Sequence, residues 1–134
     1  MTETNVRATY TRLYADDHGV SRFEDIGCDL IPGFAMPPAD PLHLARFVPA
    51  ERCYWLGAPA DWKGDTAHPT PRRQILVTVQ GEYEVTAGNG TKRRFPVGSV
   101  VLVEDTTGSG HSTKITSAGE ALVFAVGLPS EDTD

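Results

Sequence analysis

Two clusters around His68 and His111 hold the residues of this chain whose types and spacing are best suited to chemistry. The first cluster reads HPTPRRQ over residues 68–74, and the second reads EDTTGSGH over residues 104–111. Histidine changes its charge near neutral pH, and its ring nitrogens are also common metal ligands. The clusters therefore predict either an acid–base pair or part of a metal site.

The two clusters resemble the two half-motifs of the cupin family, which are written H-x-H-x3/4-E/Q-x6-G and G-x5-P-x-G-x2-H. His68, Gln74 and Gly81 match the first half-motif, and Gly98 and His111 match the second. The resemblance covers roughly residues 42–127. It implies an all-β chain folded as a cupin-type jelly-roll β-barrel, with a pocket at the mouth of the barrel and frequent dimerisation.

The chain departs from these motifs at two positions and in one spacing. Thr70 stands where the family has its second histidine, and Thr106 stands where it has a proline. The second segment is also two residues longer than the family pattern. Cupins include dioxygenases, isomerases, lyases, epimerases and proteins that only bind ligands, so the fold alone does not decide function.

The resemblance implies that His68, Gln74 and His111 meet in one cavity and hold one divalent transition metal. Two imidazoles and a glutamine carbonyl oxygen suit Fe, Mn, Ni, Co or Zn, and three protein ligands with open positions suit a catalytic ion. Thr70 is a poor ligand while its hydroxyl keeps its proton. The alternative is a polar cavity without metal, in which His68 and His111 are the catalytic acid and base.

Four residues near the histidines are expected to bind the substrate: Tyr54, Thr70, Arg72 and Gln74. The prolines at positions 69 and 71 hold the backbone extended, so His68 and Thr70 project from the same face. Tyr54 belongs to a short strand before the first cluster and would lie at the pocket mouth, unless it packs in the core.

Adjacent arginines follow the first histidine of the motif. Arg72 or Arg73 would bind a carboxylate or phosphate through the guanidinium group. The alternative is that one arginine is solvated and the other pairs with an internal acid such as Glu82 or Asp105. The stretch 105–110 is either a lid with glycine hinges or a lengthened Asx-type turn.

Short runs of alternating apolar residues between glycines and prolines predict about nine strands and no helix. The clearest run, residues 74–80, places Ile75, Val77 and Val79 on one face. Val101 is expected in the apolar core. Loops are expected at 32–41 and 57–67, and the remaining strands at 21–31, 42–48, 52–56, 82–87, 91–95, 99–103, 111–115 and 121–126.

Length and composition predict one folded domain. We expect an N-terminal arm over residues 1–20 that contributes to a dimer contact, a single barrel over 21–128 and an acidic tail over 129–134. The net charge of −6 and the pI near 5.1 argue against nucleic-acid and anionic-membrane partners. A start without a secretory leader and the lack of a long apolar stretch predict a cytoplasmic protein.

These features favour a small-molecule enzyme, metal-assisted or not, that carries out an isomerisation, a cyclisation or a lyase-type reaction. The expected substrate is a small organic acid or a secondary-metabolite intermediate, and the expected assembly is a homodimer. One alternative is a non-catalytic cupin that binds or senses a small ligand. The other is a cupin dioxygenase with a reduced ligand set.

Overall fold

The computed structural model describes residues 6–34 and 36–130. These residues form strands, turns and loops but no helix. The described residues therefore contain no helix that could cross a membrane. The all-β prediction is therefore confirmed for the described residues. The eleven strands are β1 (Val6–Ala15), β2 (Ser21–Phe34), β3 (Leu42–Leu44), β4 (Arg52–Ala58), β5 (Lys63–His68), β6 (Gln74–Gln80), β7 (Tyr83–Thr86), β8 (Lys92–Phe95), β9 (Val100–Val103), β10 (His111–Ile115) and β11 (Ala121–Gly127).

The strands form two sheets. The larger sheet has seven strands in the order β3-β2-β1-β9-β6-β11-β4, and the smaller has four in the order β5-β10-β7-β8. Neighbouring strands are antiparallel except β1 and β9, which are parallel. From β4 onward the chain passes from one sheet to the other at every connection except the β7–β8 hairpin. Strand ends from both sheets are thereby brought together at the edges of the core.

The main core lies between the inner faces of the two sheets. Period-two alternation places every second side chain on that face, and Val101 is 2% exposed there, as predicted. The buried cluster draws on both sheets and contains Leu13, Tyr83, Val85, Ala87, Phe95, Val101, Val103 and Val123.

A second apolar cluster covers the outer face of the larger sheet. Strands β3 and β4 lie at opposite edges of this sheet, so the segment 45–51 that connects them crosses its outer face. Val48 from this segment packs against the buried side chains of Ile75, Leu102 and Leu128. Ile75 thus faces outward while Leu76 packs against the main core, which confirms the two faces predicted for β6.

Three predictions about loops and strands were wrong in part. The expected loop 57–67 contains most of β5, which alternation could not show because its side chains are mostly polar and exposed. Strand β2 extends to Phe34, into the expected loop 32–41, because its last residues pair with β3. The strand expected at 42–48 ends at Leu44, where the chain turns onto the outer face.

The N-terminal segment is part of the larger sheet. Within the expected arm, residues 6–15 form β1, which pairs with β2 along its whole length and with β9 from Thr11 to Leu13. Its apolar residues alternate only from Val6 to Tyr10 and change faces at Leu13, so the sequence pattern did not mark it as a sheet strand. Residues 1–5 and 131–134, which include most of the expected acidic tail, lie outside the described residues.

Candidate functional site

A cavity of about 360 Å3 lies between the two sheets. This volume is at the lower end of the range for small-molecule pockets. Its polar lining residues His68, Gln74 and His111 lie at strand ends: His68 ends β5, Gln74 begins β6 and His111 begins β10. The walls are mainly apolar and are formed by Leu13, Leu56, Ala58, Trp62, Pro71, Leu76, Val85, Val101, Val103, Ile115, Ala121 and Val123.

The two histidines face each other across a strand pair. His68 and His111 are direct partners in the antiparallel pairing of β5 with β10. Their ring centroids are 5.8 Å apart, with an angle of 42° between the ring planes. His68 is exposed, whereas the side chain of His111 is 13% exposed. The structure therefore brings together the three residues that the half-motifs suggested, His68, Gln74 and His111.

Gly110 permits this close approach of β5 and β10. Its φ angle is +74°, which glycine adopts without a steric cost. A Cβ atom at this position would overlap the carbonyl group of His68. Any side chain at position 110 would therefore push the backbone of His68 away from His111.

Asp105, which does not line the cavity, orients the ring of His111. Its side chain is completely buried, and its Oδ2 atom lies 2.6 Å from Nδ1 of His111. A carboxylate only accepts hydrogen bonds, so Nδ1 carries the proton and donates it. Nε2 of His111 is then the nitrogen that remains for a ligand.

The role of Asp105 was not predicted from the sequence. The sequence placed this aspartate only in a loop and as a possible ion-pair partner of an arginine. The signal available in the sequence was its place two residues after the buried Val103. The period of two continues two residues past the end of β9, and Asp105 is buried like Val103.

His68 is oriented by its own loop. Its Nδ1 atom lies 2.9 Å from the carbonyl oxygen of Pro69. A carbonyl oxygen only accepts, so Nδ1 of His68 donates this hydrogen bond. When both rings are neutral, each histidine therefore has an unprotonated Nε2 atom.

A chain of hydrogen bonds fixes the side chain of Gln74. The Tyr54 hydroxyl donates to Oε1 of Gln74 over 2.5 Å, and Nε2 of Gln74 donates to the Thr70 hydroxyl over 3.1 Å. The Thr70 hydroxyl in turn donates to the carbonyl oxygen of Arg72 over 2.9 Å. Thr70 and Gln74 line the cavity, while Tyr54 supports Gln74 from outside it.

Neither arginine of the first cluster lines the cavity. Arg72 lies 3.3 Å from a carboxylate oxygen of Glu51 on the protein surface. Arg73 donates two hydrogen bonds, of 2.9 and 2.6 Å, to one oxygen of Glu104. Arg73 thus pairs with an internal acid, as the alternative expected, and this acid is Glu104. The expected guanidinium clamp for a substrate carboxylate is not formed at the cavity.

Glu104 anchors the end of β9 immediately before Asp105. Its other carboxylate oxygen accepts a 2.6 Å hydrogen bond from Arg12 of β1, and its backbone N–H donates to Leu13. Burial acts to raise the pKa of Glu104, but the hydrogen bonds from Arg12 and Arg73 outweigh it and hold this pKa below its usual value. The ionised Glu104 therefore helps to hold Asp105 in place.

The loop after Asp105 is tied to neighbouring turns. The backbone N–H of Ser109 donates to the carbonyl oxygen of Gly19 over 2.9 Å. The Ser21 hydroxyl donates to the carbonyl oxygen of Gly110 over 2.7 Å. These bonds favour a fixed turn over a moving lid, although the Asp105 side chain bonds His111 and does not form the expected Asx-type turn.

The donor set at the cavity fits a resident transition metal poorly. His68 and His111 supply imidazole nitrogens, but the described residues contain no group of three His, Cys, Asp or Glu side chains able to hold a metal ion. The Gln74 oxygen accepts the Tyr54 hydrogen bond, and Thr70 offers only a neutral hydroxyl. A strong third ligand, which a catalytic metal site normally has, is therefore not provided.

Comparison of the chain with models of protein families found no match, and comparison with curated proteins found none either. The resemblance to cupins thus rests on the two half-motifs and on the place where the structure puts their residues.

Replacing Gly110 with alanine should disturb the histidine pair. We expect Gly110→Ala to lower the free energy of unfolding by at least about 1–3 kcal/mol, because alanine is strained at this φ angle and its Cβ meets the His68 backbone. Gly119→Ala is the matched control, since a Cβ there meets nothing within 4 Å, and it should change stability by no more than about 0.5 kcal/mol. Urea unfolding measures both. Equal effects of the two substitutions would contradict the close approach.

The Glu104 ion pairs should make stability depend on pH in the acidic range. The pKa of Glu104 is lower in the folded than in the unfolded chain, so its contribution is complete above the unfolded value of about 4.3 and is lost as the pH falls below it. Glu104→Gln should therefore destabilise the protein by about 1–3 kcal/mol at pH 7 and by much less at pH 3. Glu24→Gln, at the exposed contact with Arg12, is the control. Urea unfolding at both pH values would refute the assignment if Glu104→Gln cost the same at each.

Proposed function

We propose that this protein is a cupin-type enzyme that moves a proton on a small molecule held in the cavity, without a resident metal. The observation that carries the proposal is the buried Asp105 carboxylate bonded to Nδ1 of His111, a residue that lines the cavity. A buried carboxylate on one nitrogen of an imidazole orients the ring and balances the charge that forms when the other nitrogen takes a proton.

A cupin-type jelly roll is the finer fold that we propose for the two sheets. It is supported by the repeated passage of the chain between sheets from β4 onward, which is usual in double-sheet jelly rolls. It is also supported by the meeting of His68, Gln74 and His111 at one cavity. In this proposal Thr70 fills the position of the family's second histidine as a hydrogen-bonding residue.

In the proposed mechanism His111 is the general base. Its Nε2 atom takes a proton from the substrate, and Asp105 balances the positive charge of the imidazolium. The imidazolium of His111 then returns the same proton to a different atom of the substrate or to a leaving group. This sequence conserves protons and needs no oxidant, so it suits an isomerisation, a cyclisation or a lyase-type elimination.

Gln74 is the proposed binding residue for the polar group of the substrate. Tyr54 and Thr70 fix its amide, with one N–H bonded to Thr70. An amide nitrogen has a second N–H, which can donate to a substrate oxygen. A donor held in place before the reaction stabilises negative charge that develops on that oxygen.

A non-catalytic binding protein is the second candidate. The observation that favours it is the mainly apolar wall of the cavity, which binds a ligand whether or not a reaction follows. The two candidates differ in one respect, because a binding protein returns its ligand unchanged. A dioxygenase is less well supported, because the described side chains fit a metal poorly.

Solvent-deuterium exchange tests the enzyme proposal. Small ketones, aldehydes and phenols are incubated with the protein in D2O, and loss of their C–H signals is followed by NMR. We expect the wild type to catalyse exchange. His111→Ala should reduce the exchange rate by a factor of about 10² or more, and Asp105→Asn should also reduce it. His18→Ala, at an exposed histidine of the turn between β1 and β2, is the matched control and should keep the wild-type rate. Unchanged exchange in His111→Ala would refute the role of His111, and saturable binding without exchange would favour the binding protein.

The proposal also includes a homodimer formed through the edge at β3. In the described residues β3 pairs only with β2, and open strand edges invite pairing with another chain. Ile31, Leu42 and Leu44 at this edge are 65%, 51% and 38% exposed. A second copy of the same edge would cover these side chains in a symmetric contact.

Light scattering tests the dimer. We expect a mass twice that of the 14.5 kDa chain at micromolar concentration, and we expect Ile31→Asp to reduce it to one chain. Val97→Asp is the control, because Val97 is 62% exposed in a turn away from β3 and should leave the mass unchanged. The mass of a single chain for the wild type would exclude the dimer.

The cytoplasmic location and the lack of nucleic-acid and membrane partners stay predictions. The net charge of −6 supports the last two.

A further inference from the structure

The cavity has no charged side chain of the Asp, Glu, Lys or Arg type among its described lining residues. Its titratable lining residues are His68, His111 and Tyr83. Burial raises the pKa of the Tyr83 hydroxyl, so this group stays neutral at physiological pH. The cavity therefore offers no permanent positive charge to a bound anion.

The two arginines of the first cluster are paired with carboxylates outside the cavity lining. Arg73 is bonded to Glu104 and Arg72 to Glu51, and neither lines the cavity. A carboxylate that bound to protonated His111 would have to share that charge with Asp105. Asp105 has one hydrogen bond, from Nδ1 of His111 to Oδ2, and its buried Oδ1 atom has no hydrogen-bond partner. A second anion next to His111 would therefore be repelled by a buried carboxylate that is only partly compensated.

Most of the polar lining residues lie toward one end of the cavity. His68, Gln74 and His111 lie where β5 stops and β6 and β10 start. Ile115 and Ala121, at the end of β10 and the start of β11, lie at the other end, where Tyr83, the pairing partner of Ile115, adds a neutral hydroxyl. A ligand that matches this arrangement has one polar group on an apolar body.

We propose that the substrate is an uncharged, mainly apolar ketone or aldehyde rather than an organic acid. This inference rests on the proposed function and names the substrate class of the same site. The carbonyl oxygen accepts a hydrogen bond from the second N–H of Gln74, and the hydrocarbon body lies against Ile115 and Val123. The cavity of about 360 Å3 limits the ligand to a small molecule.

A carbonyl group also gives His111 a proton that it can remove. Nε2 of His111 takes a proton from the carbon next to the carbonyl group, and the electron pair of the broken C–H bond forms the enolate. Gln74 donates a hydrogen bond to the enolate oxygen. The imidazolium then returns the proton to carbon, at the same position or at another position of the conjugated system, so no electrons are gained or lost.

Paired probes of similar shape test the substrate class. Acetophenone is neutral and benzoate carries a carboxylate, and both are titrated into the wild-type protein at pH 7 and followed by NMR. We expect acetophenone to bind at least tenfold more tightly than benzoate, with nuclear Overhauser contacts between its ring and the methyl groups of Ile115 and Val123. Benzoate binding as tight as acetophenone binding, or no binding of either probe at millimolar concentration, would overturn the inference.

Variants of cavity residues locate the bound probe. Val123→Phe fills part of the cavity and should weaken acetophenone binding at least tenfold, whereas Val97→Phe, in an exposed turn, should not change it. If Val123→Phe does not fold, the Overhauser contacts in the wild type give the same answer. Exchange of the acetophenone methyl protons in D2O is measured separately. Tight binding without exchange supports the substrate class and overturns the catalytic proposal, so the two failures are distinguishable.

Discussion

The buried contact between Asp105 and His111 is the interaction on which the rest of the site depends. A carboxylate with no exposure is costly unless a partner compensates it, and here the donor is Nδ1 of His111 at 2.6 Å. Two further contacts hold Asp105 in place. The preceding residue, Glu104, is bonded to two arginines. The backbone N–H of Thr70 donates to the Asp105 carbonyl oxygen over 3.0 Å. Fixing Asp105 fixes the ring of His111 and directs Nε2 toward a ligand.

The two sheets supply the remaining geometry. His68 reaches His111 because β5 and β10 are neighbours in the smaller sheet and Gly110 lets their backbones approach. Gln74 comes from the larger sheet and is fixed by Tyr54 of β4. The walls between them are formed by the same apolar residues that build the core, so the cavity and the stability of the fold are linked.

Much of the fold could be predicted from the sequence where a strand has one buried face. Strand β11 alternates between buried and half-buried residues along its whole length, and its predicted bounds, 121–126, differ from the structure by one residue. Strand β5 was missed because its side chains are mainly polar and exposed. Strand β1 was missed because its apolar residues change faces between Tyr10 and Leu13, and backbone pairing with β2 and β9 determines it. The meeting of His68, Gln74 and His111 was anticipated only through the half-motifs. Spacing indicates that Asp105 points inward, but it does not reveal the contact with His111 on which the role of Asp105 depends.

The most direct test of this account is NMR of the histidine rings with ¹⁵N labelling, at a pH where the rings are neutral. The signals of His111 are those that disappear from the spectrum of His111→Gln. Asp105→Ala removes the carboxylate that accepts the hydrogen bond from Nδ1 of His111. The account predicts that His111 carries its proton on Nδ1 in the wild type, and that Asp105→Ala allows the form protonated on Nε2. A wild-type His111 protonated on Nε2, or a ring that Asp105→Ala leaves unchanged, would contradict the account.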